Sequence, residues 1–356
     1  MKMNKIEILY LVFYDISGPA VSAPVRRALA LKEAFSDLTD LVCISGKPLK
    51  RFFRILKFLI FQKTTYEKVY IENSSTTLYP LDFLLIRYFY NHNKKMGIFI
   101  RDAHPLFPEF VGSLKWYQHI LYKGWHISMQ FLKHYIPVWF VPSETFGNFL
   151  KQEYHLDGIS PRISVLPPGM TDDAPQLFDV KSKNVLYVGG ISKRYGLKNI
   201  LKLSEFLSEL DPEAKIVMLI RYKPTELIEK KNIVILHGDL SLLYRENYRF
   251  RFSVMLLKPN TYNSLAFPVK MMDYLSLGLP VVSTPIPEAE HFLLSHKTGI
   301  IITDSEWADF DQLWNNSALW LKMHDNISKI SNNRWIDRCT HILRELAGPV
   351  YLKKNN

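Results

Sequence analysis

Cysteine is nearly absent: Cys43 and Cys339 are the two thiols among 356 residues. Two distant thiols build no disulfide framework and match no metal-ligand spacing, so a reducing compartment, the cytoplasm, is the expected setting. Both read as small buried apolar side chains. No run reaches the ~18 uninterrupted apolar residues of a membrane-spanning helix. The opening MKMNKIEILYLVFYDIS carries charges inside its apolar part, which predicts a first strand and not a signal peptide. Short repeats, low-complexity tracts, acidic metal motifs and recognised nucleic-acid motifs are also missing. Neither a metal nor a nucleic-acid partner is expected.

What is present is ordinary globular material, 47% hydrophobic and 22% charged, which at this length predicts two domains with separate cores. The net charge is +11, a balance that fits phosphate-rich ligands or an anionic membrane face. It is uneven. Residues 1–150 hold 19 Lys and Arg against 11 Asp and Glu, leaving +8 there and +3 in the rest.

Short apolar runs alternate with longer amphipathic ones. In the first half, strands are expected at 6–14, 38–45, 68–73, 95–104, 138–144 and 162–170, with helices at 24–35 and 77–92 between them. Residues 171–183 form a polar, turn-rich joint. A second series then begins, with strands at 184–190, 215–220, 232–238, 252–259 and 279–284 and helices at 197–210 and 269–278. Such alternation predicts an α/β protein of two Rossmann-like domains with parallel sheets. Ligands of such sheets bind outside the C-terminal strand ends, and a cleft between two such domains is a common site.

Two stretches of the second half carry chemistry. In YVGGISKRYGL (187–197), a strand ends in Gly189-Gly190 and is followed by Ser192, Lys193 and Arg194 at the head of a helix. Glycines let backbone N–H groups approach an anion, a helix N-terminus favours negative charge, and the two cations suit a diphosphate. In FPVKMMDYLSLGLPVVST (267–284), Lys270 and Asp273 lie three apart on one helix face, and Gly278 with Pro280 ends the helix. Lys270 can meet a phosphate and Asp273 a ribose diol. A plain strand–helix turn and a surface ion pair are the structural alternatives.

GGISKRYGL, LKP, FPVKMMDYLSLGLPVVST and the late NNRWIDRCTHIL occur in the order seen in the second domain of GT-B glycosyltransferases. They most resemble the retaining family-four type, clearly over 184–345 and more weakly over 1–170. The resemblance implies two Rossmann-like domains facing across a cleft. The first, 1–170, would take the acceptor, the second, 171–345, the nucleotide-sugar, and 346–356 would be a tail. It implies sugar transfer from a nucleotide-diphosphate sugar to an acceptor hydroxyl, lipid-linked or polysaccharide, in cell-surface glycan synthesis, with no cofactor beyond the donor. It assigns donor binding to Gly189, Gly190, Ser192, Lys193, Arg194, Lys270 and Asp273. NNRWIDR resembles the Ser-Trp helix that closes the family's second domain. One departure matters: of two Glu separated by seven residues in that type, the second matches Asp273 and the first falls on Leu265, which leaves the donor sugar and the retaining assignment open. A sugar-nucleotide epimerase on the same fold, and a sugar-nucleotide or membrane-surface binding protein without chemistry, remain as alternatives.

In the first half, DISGPAVSAPVRRALAL (15–31) resembles the family's glycine loop, with Gly18 near the donor phosphate or acceptor. IRDAHPLFPEF (100–110) places Arg101, Asp102 and His104 at a strand end, and similar segments occur near the acceptor side of related bacterial enzymes. Asp102 or His104 can serve as the base of an inverting reaction, with Glu109 a weaker candidate and Ser143 an N-cap. Residues 47–61 interleave five cations with Phe, Ile and Leu, and 115–135 repeat the theme with Trp, Tyr, Lys and His. Basic aromatic helices of this kind can lie in a membrane interface. They predict peripheral contact at the cytoplasmic face of an anionic membrane, against ordinary packing on the sheet.

Overall fold

A computed structural model describes residues 5–18, 22–61, 65–74, 77–107, 116–156, 160–172, 174–190, 196–220, 230–303 and 310–348. The chain divides into two compact units, residues 1–168 with 335–356, and residues 169–334.

The first unit runs β1 (Lys5–Val12), α1 (Ala23–Leu38), β2 (Leu41–Ser45), α2 (Pro48–Phe61), β3 (Thr65–Glu72), α3 (Pro80–Asn91), β4 (Lys95–Phe99), a short 3-10 turn (His104–Leu106), α4 (Trp116–Tyr135), β5 (Val138–Val141), α5 (Glu144–Glu153) and β6 (Arg162–Val165). Its sheet is parallel, in the order β2-β1-β3-β4-β5-β6. Strand order reverses at β1/β3, so a crevice is expected above the C-terminal ends of those two strands. Local sequence starts α1: Ser22 accepts from the Val25 N–H, and Pro24 occupies the first turn. Its Ala28, Leu31 and Phe35 then face the sheet core. Ser143 caps α5 by accepting from the Phe146 N–H at 3.0 Å. The strand expected over 95–104 stops at Phe99, and Arg101–Ala103 lead into the 3-10 turn.

The second unit runs β7 (Asn184–Val188), α6 (Leu197–Leu210), β8 (Lys215–Ile220), β9 (Ile233–His237), α7 (Ser241–Arg245), β10 (Phe252–Met255), α8 (Thr261–Ser264), α9 (Val269–Ser276), β11 (Val281–Ser283), α10 (Pro287–His296), β12 (Gly299–Ile301), α11 (Phe310–Asn315) and α12 (Ser317–Ser328). The parallel sheet has the order β12-β11-β10-β7-β8-β9, the Rossmann arrangement, with its reversal at β7/β10. β12, α7, α8, α10, α11 and α12 were not expected from the apolar pattern. Most are too short to show a period.

The boundary expected at 345 is corrected to 334. The helix α13 (Trp335–Ala347) belongs to the first unit, where Cys339, Ile342 and Leu346 join the core with α1. Spacing of three and four residues puts these side chains on one stripe. Burying that stripe against α1 and the first sheet is what draws the chain back. The segment NNRWIDR, expected to close the second domain, instead leads into this returning helix.

Candidate functional site

In the second unit the site is built where β7 and β10 part. They pair only through Phe252–Val185 and Ser253–Leu186. Beyond that, the Tyr274 hydroxyl of α9 fills the gap, accepting from the Val188 N–H at 2.8 Å and donating to the Val254 carbonyl at 3.1 Å. Gly189 follows at once with φ +139. A Cβ built on Gly189 would lie 2.0 Å from Lys270 Nζ. The lysine amine thus occupies the space a side chain at 189 would fill, over the Tyr187 ring at 4.9 Å from its centroid. The Tyr187 hydroxyl donates to the Gly190 carbonyl at 2.5 Å, fixing the turn from below. Asp273 stands one turn further along α9, half-buried like Lys270.

The far side of the loop is fixed as well. Gly196, φ +80, opens α6 so close to β10 that a Cβ there would lie 1.6 Å from the Leu256 carbonyl oxygen. Among the described residues, no side-chain capping hydrogen bond is made at Gly196. After β10, Thr284 donates to the Leu257 carbonyl at 2.6 Å and Asn263 to the Lys258 carbonyl at 2.8 Å. Leu265 ends α8. The structure therefore brings Gly189, Gly190 and Lys270 together, with Asp273 on the same helix. Ser192, Lys193 and Arg194 lie outside the described residues. A crevice with a cation over exposed backbone turns can hold an anion and meet charge developing on a leaving phosphate.

In the first unit, the polar groups gather at the C-terminal ends of β1, β3 and β4. Asp102 accepts from Arg101 Nε at 3.3 Å through one oxygen, and its other oxygen is 3.4 Å from His104 Nδ1. At that distance the carboxylate and the ring are neighbours without a hydrogen bond between them. Gly18 is exposed. A Cβ there meets nothing within 4 Å, so local packing places no demand for glycine at this position. Glu109 lies outside the described residues.

Sequence reading missed a buried ionic group of this unit. Glu72, the last residue of β3, accepts from Arg27 Nε at 3.0 Å and from the Tyr70 hydroxyl at 2.7 Å while 1% exposed. The Arg27 guanidinium stacks 3.7 Å over the Phe99 ring, and buried Asn73 follows Glu72. Burial pulls the Arg27 guanidinium down, but the Glu72 carboxylate, with the Tyr70 and Tyr10 hydroxyls, outweighs it and holds the group above its ordinary range. Burial and the nearby Arg27 push Arg338 down to about 10. The available signal was the pair Glu-Asn directly after the apolar Val-Tyr-Ile of β3. Among the described residues, no group of three His, Cys, Asp or Glu side chains is placed to hold a metal ion.

No protein-family model matches the chain, and no curated protein sequence does. Solved structures do. WaaG, a glycosyltransferase involved in lipopolysaccharide biosynthesis, matches at TM-score 0.62 and 11% identity, over 96% of this chain and 100% of that one. Anabaena HepE in complex with UDP-glucose matches at 0.61 and 12%, over 96% and 98%. The pneumococcal O-GlcNAc transferase GtfA, in complex with UDP and GlcNAc, matches at 0.55 and 12%, over 86% and 61%. This chain spans 61% of the matched GtfA/B chain and 59% of TarM, about three-fifths of those proteins' length. With these likenesses and the two sheet orders together, the chain has the GT-B fold, two Rossmann-like units each built on a six-stranded parallel sheet.

Proposed function

We propose that the protein is a glycosyltransferase that moves a sugar from a nucleotide-diphosphate sugar to an acceptor hydroxyl. One observation carries the reading: Lys270 Nζ sits over Gly189 at the strand reversal of the second sheet. A diphosphate placed there meets the lysine charge and the backbone of Gly189-Gly190, and Asp273 is in reach of a ribose diol. Ser192, Lys193 and Arg194, which follow Gly190 in the sequence, are the further candidates to supply cations and a hydroxyl to that anion. Solved structures that this chain resembles include complexes with UDP-glucose and UDP-2-fluoro glucose, which favours the same donor class here.

The leaving diphosphate gains negative charge as the sugar bond breaks. Lys270, Lys193 and Arg194 stabilise that charge directly, so the reaction is proposed to run without metal or cofactor. The first unit takes the acceptor, a glycan or a lipid-linked hydroxyl. If configuration inverts, His104, beside Asp102, removes the acceptor proton. Peripheral contact with an anionic membrane through 47–61 and 115–135 belongs to this reading.

Leu265 favours a second one. It stands where the resembling family carries a carboxylate toward the donor sugar, and without that group the protein binds a sugar nucleotide and does no chemistry. Calorimetry with UDP, GDP, dTDP, ADP and CMP separates these readings, applied to wild type, Lys270→Met, Asp273→Ala and Arg194→Ala. One nucleoside diphosphate should bind, and each substitution should weaken it. Hydrolysis or transfer from the corresponding sugar nucleotide then excludes the binding protein, and an acceptor requirement excludes an epimerase. If no nucleotide binds, the donor reading fails.

A further inference from the structure

The helix α2 turns only one of its stripes inward. Arg51, Ile55 and Phe58 are buried. The opposite stripe is apolar and bare: Leu49, Phe53, Leu56 and Ile60 are between 39% and 66% exposed. Their spacing of four, three and four residues keeps them on one face. Lys50, Arg54 and Lys57 flank that stripe and are exposed. The helix next to it continues the surface. α2 contacts α3, which exposes Leu84 and Tyr88 beside Arg87. α4 packs on α3 through Phe83 against Phe131, ring centroids 4.6 Å apart, and exposes Ile127 near Lys123.

The exposed charge carried by these three helices has one sign, with Asp15 of the loop after β1 the acid near Lys50 and Arg54. α2 and α4 contain no Asp or Glu, and the one acid of α3, Asp82, is buried in an ion pair with Arg51. Ordinary surface helices interleave both signs with few large apolar groups. A second copy of the chain meeting this face across a two-fold axis would bring Lys50, Arg54 and Lys57 against their own copies. An anionic bilayer accepts both features at once: the apolar stripe enters the acyl boundary, and the flanking cations stay at the headgroups. Among the described residues, no helix is long and apolar enough to cross a membrane.

The geometry points to the α2–α3 face as the docking surface for an anionic lipid bilayer, α2 lying in the interface with Phe53 and Ile60 inserted. This deepens the membrane contact of the functional reading and rests on it for its purpose. It does not rest on donor binding. The consequence is that an acceptor hydroxyl carried by a lipid is delivered to the unit that bears the docking face.

The test is co-sedimentation of the full chain with vesicles of phosphatidylcholine alone and of phosphatidylcholine mixed with phosphatidylglycerol. Wild type should bind the anionic vesicles, and binding should fall as salt rises. Phe53→Glu with Ile60→Glu should lower it by about tenfold or more, and Lys50→Gln with Lys57→Gln should lower it while leaving the apolar stripe in place. Thermal unfolding and nucleotide titration of each variant check that the fold is kept. Both substituted residues are exposed, so both readouts should match wild type. Wild type that ignores anionic vesicles, or a Phe53/Ile60 variant that binds them undiminished, overturns the proposal. So does a wild-type dimer that the Phe53/Ile60 variant makes monomeric. Vesicle binding without nucleotide binding leaves this face standing and removes the donor reading.

Discussion

Tyr274 joins two strands that have ceased to pair with one another, its hydroxyl set between the Val188 N–H and the Val254 carbonyl. The ring is fully buried, so no water replaces that hydroxyl when it is removed. The parting of β7 from β10 is what opens a crevice, and Tyr274 satisfies the two backbone groups the opening leaves behind.

Tyr274→Phe therefore should cost about 1–3 kcal/mol in urea unfolding. It should also weaken nucleotide binding, because Val188 leads directly into Gly189. Unchanged stability would mean that the strands close on each other without the hydroxyl.

Gly189 and Gly196 should respond differently to alanine. At Gly189 the new methyl meets the mobile end of Lys270, so the fold should survive at a backbone cost of about 1–3 kcal/mol, while nucleotide affinity falls about tenfold. At Gly196 it meets the Leu256 backbone carbonyl, which cannot swing aside, and the loss should appear first in thermal stability. Equal loss of stability in both variants would contradict the assignment of Lys270 to the ligand.

Glu72→Ala leaves the Arg27 guanidinium buried without its carboxylate. The expected destabilisation is about 3–5 kcal/mol, with Glu72→Gln intermediate because it still accepts a hydrogen bond. A loss below about 1 kcal/mol for alanine would show that water reaches the site.

His341 on α13 lies 2.8 Å from the Ser164 hydroxyl, and burial lowers its pKa below the ordinary imidazole range. Unfolding lets it bind a proton more readily. The stability it contributes is thus complete above the unfolded value near 6.5 and is lost as pH falls through the lower folded value. Melting temperatures across pH 7 to 5 should fall more for wild type than for His341→Asn. Parallel curves would place the titration elsewhere.

Burial also raises Cys43 to about 11 and raises Cys339 further. Thiolate is the reactive form, so iodoacetamide should label the native chain slowly at neutral pH, with labelling accelerating on unfolding. Rapid labelling of the folded protein would show an open path to one of the thiols.

Much of this was legible in local pattern. The strand IVMLI in β8, the helix α1 and the Gly278–Pro280 stop after α9 follow from periodicity and φ preference, all within a few residues. The Gly-Gly turn and the lysine at 270 were also legible as separate features, 80 residues apart. Their meeting was not, because nothing in either segment states which strand the other neighbours.

What the sequence by itself determined is the alternation of strand and helix, the scarcity of thiols, and the basic apolar composition of α2. These are sums over near neighbours. Only the tertiary structure decided that α13 returns to the first unit, that Glu72 takes Arg27 from 45 positions away, and which stripe of α2 is left outside. A buried polar group accepts whichever partner the packed fold supplies, and an amphipathic helix buries the stripe that its sheet can cover. Both choices are settled by contacts distant in the chain, after the local elements already exist.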